Sequence, residues 1–156
     1  MSYLLQEACR TALRNVGLLR ENAPVLLRFW ERAERLEVPD GTVLIREGSP
    51  GDSLLFVVEG SLFVSIRGDD GEPIQVVTLS SPLLLGATGA VDGELRTSTC
   101  TTQGSVTVLR MRRGVFLDAV RQSTPEAELM RELLLINMHR QLLAATGRLN
   151  GVLKDA

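Results

Sequence analysis

The sequence predicts a mainly β protein: an antiparallel roll or jelly-roll barrel with helices at its N-terminal end and a long helix at its C-terminal end. Three observations predict it. Between Val38 and Met111 apolar and polar residues alternate at a period of two, the spacing of a strand with one face buried. Inside that interval Gly and Pro interrupt the pattern at steps of roughly ten residues, the rhythm of short antiparallel strands. On either side the period changes to three and four, the spacing of amphipathic helices.

Taken in order, Leu5, Ala8, Cys9, Ala12, Val16 and Leu19 recur at helical steps from Ser2 to about Arg20, while Arg10, Arg14 and Arg20 fall elsewhere. A second helix begins near Pro24, whose fixed φ suits a first turn, with Leu26, Phe29, Trp30 and Ala33 on one side. Residues 1–37 are therefore expected to be helical. After Val38-Pro39-Asp40-Gly41 the run Thr42 to Arg46 reads as extended, Glu47 to Asp52 as a turn, and Leu54 to Val58 as a strand that ends at Glu59-Gly60. Leu62, Val64 and Ile66 alternate with Ser61, Phe63, Ser65 and Arg67. Gly68-Asp69-Asp70-Gly71 then closes a hairpin whose return strand is Ile74 to Leu79. Thr97 to Thr102 and Ser105 to Met111 are strands about a turn at Gly104, and a short helix runs from Val115 to Gln122. The roll and this helix thus occupy 38–122. The last helix fills 123–156, with Thr124 as cap, Pro125 at the first position, and Glu126 and Glu128 near its positive end.

Composition narrows the function classes. At 156 residues, 44% of them apolar, the chain can bury one core and forms one structural domain. A net charge of −2 supplies no field toward nucleic acid, so direct DNA binding is not expected. Arg110, Arg112 and Arg113 form the one basic cluster, and three arginines at a strand end read as a solvated edge. Cys9 and Cys100 have no spacing for a bridge or a metal site and read as packed, reduced thiols. Neither a signal peptide nor a bilayer-length apolar run is present, so a cytoplasmic protein without membrane contact is expected. His139 is the only histidine, and nothing near it in the sequence makes a catalytic pair. No enzyme activity, metal site or required cofactor is expected.

The most informative stretch runs from Leu83 to Thr102. A glycine follows an apolar run, small residues allow backbone amides to approach a ligand, and Arg96 opens a threonine-rich strand. Amides and a planar guanidinium are the parts of a small anion pocket, although the same residues also suit an ordinary strand–turn–strand connection with a solvated arginine.

From Val38 to Gln122 the chain resembles the cyclic nucleotide-binding domain family. The resemblance is carried by Gly41 to Gly60, which is similar in residues and spacing to the family's opening strands and glycine turns, and by the long helix after the roll. In that family a phosphate-binding cassette runs Phe-Gly-Glu, then apolar and small residues, then Arg and a small or hydroxyl residue. Leu85-Gly86-Ala87 stands at its opening and Arg96-Thr97 at its close. The resemblance implies a ligand, cyclic GMP or cyclic AMP, held by Gly86, Ala87, Thr88, Arg96 and Thr97, with Thr97 giving a lean to guanine. Ala87 departs from the pattern: the family's glutamate there accepts a bond from the ribose 2′-hydroxyl, worth roughly 1.5–3 kcal/mol, or one to two powers of ten in affinity. Asp92 and Glu94 add negative charge nearby. An empty anion site gains little from its arginine, so replacing Arg96 is expected to leave the unliganded fold nearly unchanged.

Two functions follow as expectations. One is a regulatory module that senses a small phosphate-bearing ligand and signals through the last helix to a protein partner; the other is a roll without ligand, used for dimerisation or docking. A helix-turn-helix, which many regulators of the family carry after this helix, is not expected, since only six residues follow Asn150. In either case a homodimer is expected through Leu135, Met138, Leu142, Ala145 and Leu149, which repeat at alternating steps of three and four.

Overall fold

The computed structural model describes residues 3–155, with side chains for residues 3–140, Leu142 and Leu143. Helices α1 (Tyr3–Asn15) and α2 (Ala23–Trp30), joined through a 3₁₀ turn at Arg20–Asn22, precede a sheet of six strands. These are β1 (Glu34–Val38), β2 (Val43–Ile45), β3 (Ser53–Arg67), β4 (Pro73–Ser80), β5 (Leu83–Leu85) and β6 (Thr99–Arg112). A short helix α3 (Ala87–Asp92) lies between β5 and β6, and α4 (Arg113–Val120) and α5 (Pro125–Asp155) follow. All the strand pairings are antiparallel, in the order β1-β6-β3-β4, with β2 added to β6 and β5 added to β3. The expected antiparallel roll flanked by helices is what forms.

Strands β3 and β6 are the spine, and their alternation divides the apolar residues into two cores. Leu54, Phe56, Val58, Leu109 and Met111 face the helices and pack with Leu26, Trp30, Phe116, Met130 and Leu133. Leu55, Val57, Leu62, Val106 and Val108 face the interior of the roll. The Phe56 ring stacks on Trp30 at 5.2 Å, and Trp30 and Phe116 each meet Phe29 edge-on, which fixes α2 and α4 against the sheet.

Several boundaries differ from those read in the sequence. Helix α2 ends at Trp30, short of Ala33, β6 begins at Thr99 instead of Thr97, and α4 runs Arg113–Val120 instead of Val115 to Gln122. The stretch taken as helical to residue 37 already contains β1, whose Glu34 to Val38 pair with Arg110 to Val106. Helix α1 ends at Asn15 instead of near Arg20, because the amides of Gly17 and Leu18 bond back to the carbonyls of Arg14 and Leu13 in a Schellman motif. The strands expected to stop at Gly60 and Gly104 continue through them, since register shifts at that point bend the two strands together without breaking the pairing. At Gly60, φ is 119° and an added Cβ would lie 2.8 Å from Val106 Cγ2, so only glycine fits the bend.

The last helix starts as expected. Thr124 Oγ1 accepts the amide of Ala127 at 3.2 Å. Arg131 reaches the carbonyls of Val120 and Gln122, and Arg140 that of Asn15, so α5 is tied to the ends of α4 and α1. Leu129 and Leu133 are buried, while Leu135 and Leu142 are 70% and 64% exposed and Leu143 is exposed beside them. Met138, expected at a dimer face, is half-buried and also packs on this chain's own core, on the same side of the helix as Leu134. Ala145 and Leu149 lie outside the residues whose side chains are described.

Candidate functional site

Strand β5 delivers the chain to Gly86, which is left-handed at φ 76° and starts α3. A side chain at Gly86 would collide with the Arg96 guanidinium, so a glycine is required both by conformation and by space. From α3 the chain returns along the turn 48–51: the Arg96 amide donates to Ser49 O at 2.7 Å, the Gly48 amide to Arg96 O at 2.9 Å, and the Gly51 amide to Glu94 O at 3.0 Å. The glycine turn that opens the roll is therefore what holds Arg96 in place.

The Arg96 side chain is 5% exposed. Its Nη1 donates to Gly86 O at 2.9 Å and its Nη2 to Ser53 O at 2.7 Å, while Asp52 Oδ1, on an exposed side chain, lies 3.6 Å away. Two of the five N–H groups of the guanidinium are thus used by backbone carbonyls. This corrects the expectation of an arginine idle in an empty site: it joins the β3 backbone to the start of α3.

Gly86, Ala87, Thr88, Arg96 and Thr97 all line one cavity of about 390 Å³. Thr88 and Thr97 are exposed at its mouth, together with Asp92 and Glu94, while Ala87 is 7% exposed and belongs to the helix-side core. The remaining wall is apolar, with Ile45, Val64, Leu79, Leu84 and Leu85 beside Cys100. Burial pushes the Cys100 thiol pKa up, against opposing effects of a Ser98 hydrogen bond and the Arg96 charge. Among the described residues no group of three or more His, Cys, Asp or Glu side chains could hold a metal, and no helix is long and apolar enough to cross a membrane.

Sequence reasoning missed Ser53 and Asp52 as partners of Arg96. A backbone carbonyl leaves no mark in a sequence. Gly89 was also passed over, although a Cβ there would lie 2.9 Å from Arg96 Nη1 and 3.1 Å from Gly51 Cα, and a small residue three positions after Gly86 was the available signal.

Comparison with known proteins decides the family, since residues 35–123 match the Cyclic nucleotide-binding domain. The chain belongs to the cyclic nucleotide-binding domain family. Within that family it is 31% identical over 118 residues to the cyclic nucleotide-gated potassium channel mll3241 of Mesorhizobium japonicum, covering 75% of this chain and 31% of the channel. The chain thus spans about a third of that relative's length. The catabolite activator protein of Thermus thermophilus superposes with a TM-score of 0.73 at 20% identity, over 87% of this chain and 61% of that one. The N-terminal domain of a transcriptional regulator from Streptomyces coelicolor A3(2) gives 0.64 at 24% identity, over 92% and 95% of the two chains. Both structural likenesses establish the fold. The cyclic nucleotide-binding domain match begins at β1, which agrees with a roll that starts before Val38.

Proposed function

We propose that this chain is a non-enzymatic regulatory module that senses a small anion, a cyclic nucleotide or a phosphate-bearing relative, in the cavity between Gly86 and Arg96. The observation that carries this reading is a buried guanidinium on the wall of a cavity whose volume lies within the range of small-molecule sites. Arg96 meets the anion with the N–H groups that its carbonyl partners leave over, and Gly86, Ala87, Thr88 and Thr97 complete the contact surface. Binding biases the placement of α5, which a protein partner or a second copy reads.

A second reading is a roll that serves only as a dimerisation or docking module. It is favoured by the same arginine, whose bonds to Gly86 and Ser53 give it a structural role that needs no ligand. Thermal unfolding of the full chain separates the two. A ligand that binds the native state alone raises stability with concentration, by about 2.7 kcal/mol at a hundredfold excess over its dissociation constant. If cyclic GMP, cyclic AMP, cyclic dinucleotides, inorganic phosphate and small organic acids all leave the transition unmoved, the sensing reading fails and the docking module stands.

A further inference from the structure

The geometry points to an amphipathic organic acid as the ligand: one carboxylate or phosphate head on a hydrocarbon or aromatic body that lacks ribose-like hydroxyls. This rests on reading the cavity as a ligand site, and it narrows what that site selects.

The head is set by charge. Arg96 is the one cationic side chain lining the cavity, Asp92 and Glu94 line it as well, and Asp52 lies 3.6 Å from the guanidinium. One positive group thus stands against three carboxylates, two in the cavity lining and one 3.6 Å from the guanidinium, so a second negative charge on the ligand meets repulsion with no further cation in the lining to offset it. A monoanion is selected over a polyanion.

The body is set by the wall and by a missing acceptor. Beyond the guanidinium the wall is made by Ile45, Val64, Leu79, Leu84, Leu85 and Cys100, which reward apolar surface and offer no strong hydrogen-bond partner. Ala87 presents a methyl group, and the Gly86 carbonyl beside it already accepts from the Ala90 amide and from Arg96 Nη1. A ligand hydroxyl buried against Ala87 or the apolar wall gives up water and gains no side-chain acceptor there, the carboxylates of Asp92 and Glu94 being exposed at the mouth. The side-chain hydroxyls in the lining, those of Thr88, Thr97 and Ser98, belong to the segments that carry Gly86 and Arg96, where the head sits.

Isothermal titration of the full chain tests this with phenylacetate, hexanoate and methyl phenyl phosphate as hydroxyl-free monoanions, terephthalate as a dianion, and cyclic AMP and cyclic GMP. The expected result is a dissociation constant at least about tenfold lower for one or more of the monoanions than for either cyclic nucleotide or for terephthalate, the scale of one unpaired hydroxyl or charge. In Ala87→Glu, checked for folding by circular dichroism, the order reverses toward the cyclic nucleotides. The wild-type ranking decides even where that variant does not fold. Cyclic nucleotides binding as tightly as the hydroxyl-free monoanions would overturn this inference and leave the sensing reading intact, whereas no binding by any of the six compounds overturns this inference too, and the sensing reading then falls only if cyclic dinucleotides and inorganic phosphate also leave the unfolding transition unmoved.

Discussion

Arg96 donates from both terminal nitrogens to main-chain carbonyls, so its removal strips Ser53 O of a charged donor in a place water hardly reaches. Hydrogen bonds to charged groups are worth about 1.5–3 kcal/mol each, and Gly86 O retains the Ala90 amide when its second donor goes. Arg96→Ala is therefore expected to lower unfolding stability by about 2–3 kcal/mol without any ligand present, measured by urea denaturation. A loss below about 0.5 kcal/mol would mean that the guanidinium contributes nothing to the empty roll. The sequence reading anticipated the opposite. It placed the arginine and its neighbours in one cavity, because cassette spacing is a property of residue types. It could not place the carbonyls that satisfy the arginine, because every residue carries one. Ala87 was legible in a different way: its departure from the family pattern was visible in the sequence, but its burial among residues of the helix-side core was not.

At the scale of elements, β3 and β6 carry apolar residues on both faces because each lies between two cores, whereas β4 is exposed apart from Leu79 and was legible only as the return strand of a hairpin. Strand β1 escaped notice because Glu34, Arg35 and Glu37 leave only Leu36 and Val38 to signal a buried face, and two residues make no period. The breaks read at Gly60 and Gly104 were real features given the wrong consequence: glycine there bends paired strands and does not end them. Gly60→Ala must place a Cβ within 3 Å of both Val106 Cγ2 and Ser105 O in a backbone region closed to side chains. The expected cost is about 2 kcal/mol or more, seen as a lower midpoint in urea. Gly114→Ala is the matched control. That position meets nothing within 4 Å and lies in α4, so alanine there should be neutral or stabilising by up to about 1 kcal/mol. Equal effects at the two sites would remove the bend from the account of why β3 and β6 stay paired.

For the molecule as a whole, apolar surface still to cover lies on the β3–β4 hairpin, at Ile66, Ile74, Val76 and Val77, and on α5. Leu135 and Leu142 stand seven residues apart on it, one coiled-coil repeat, with Leu143 beside them and all three exposed. A two-fold dimer through this face is the expected assembly, and Leu142→Glu should weaken it by roughly tenfold or more, since burying a leucine is worth about 1.5–3 kcal/mol. Sedimentation equilibrium reads both species; a wild-type chain that stays monomeric at high micromolar concentration would refute the assembly. The division of the roll into two cores by one sheet bears on how such an assembly could be informed of the cavity's contents. Leu84 and Leu85 are neighbours on β5, both line the cavity, and Leu84 pairs with Phe56, the ring on which Trp30 of α2 stacks. Helix α2 in turn lies against α5, with Arg28 and Glu126 3.7 Å apart. The sheet thus sets the cavity and the helical side one strand's thickness apart, and on the proposed sensing reading a displacement of β5 would reach α2 through Phe56 and Trp30 with no loop in the path.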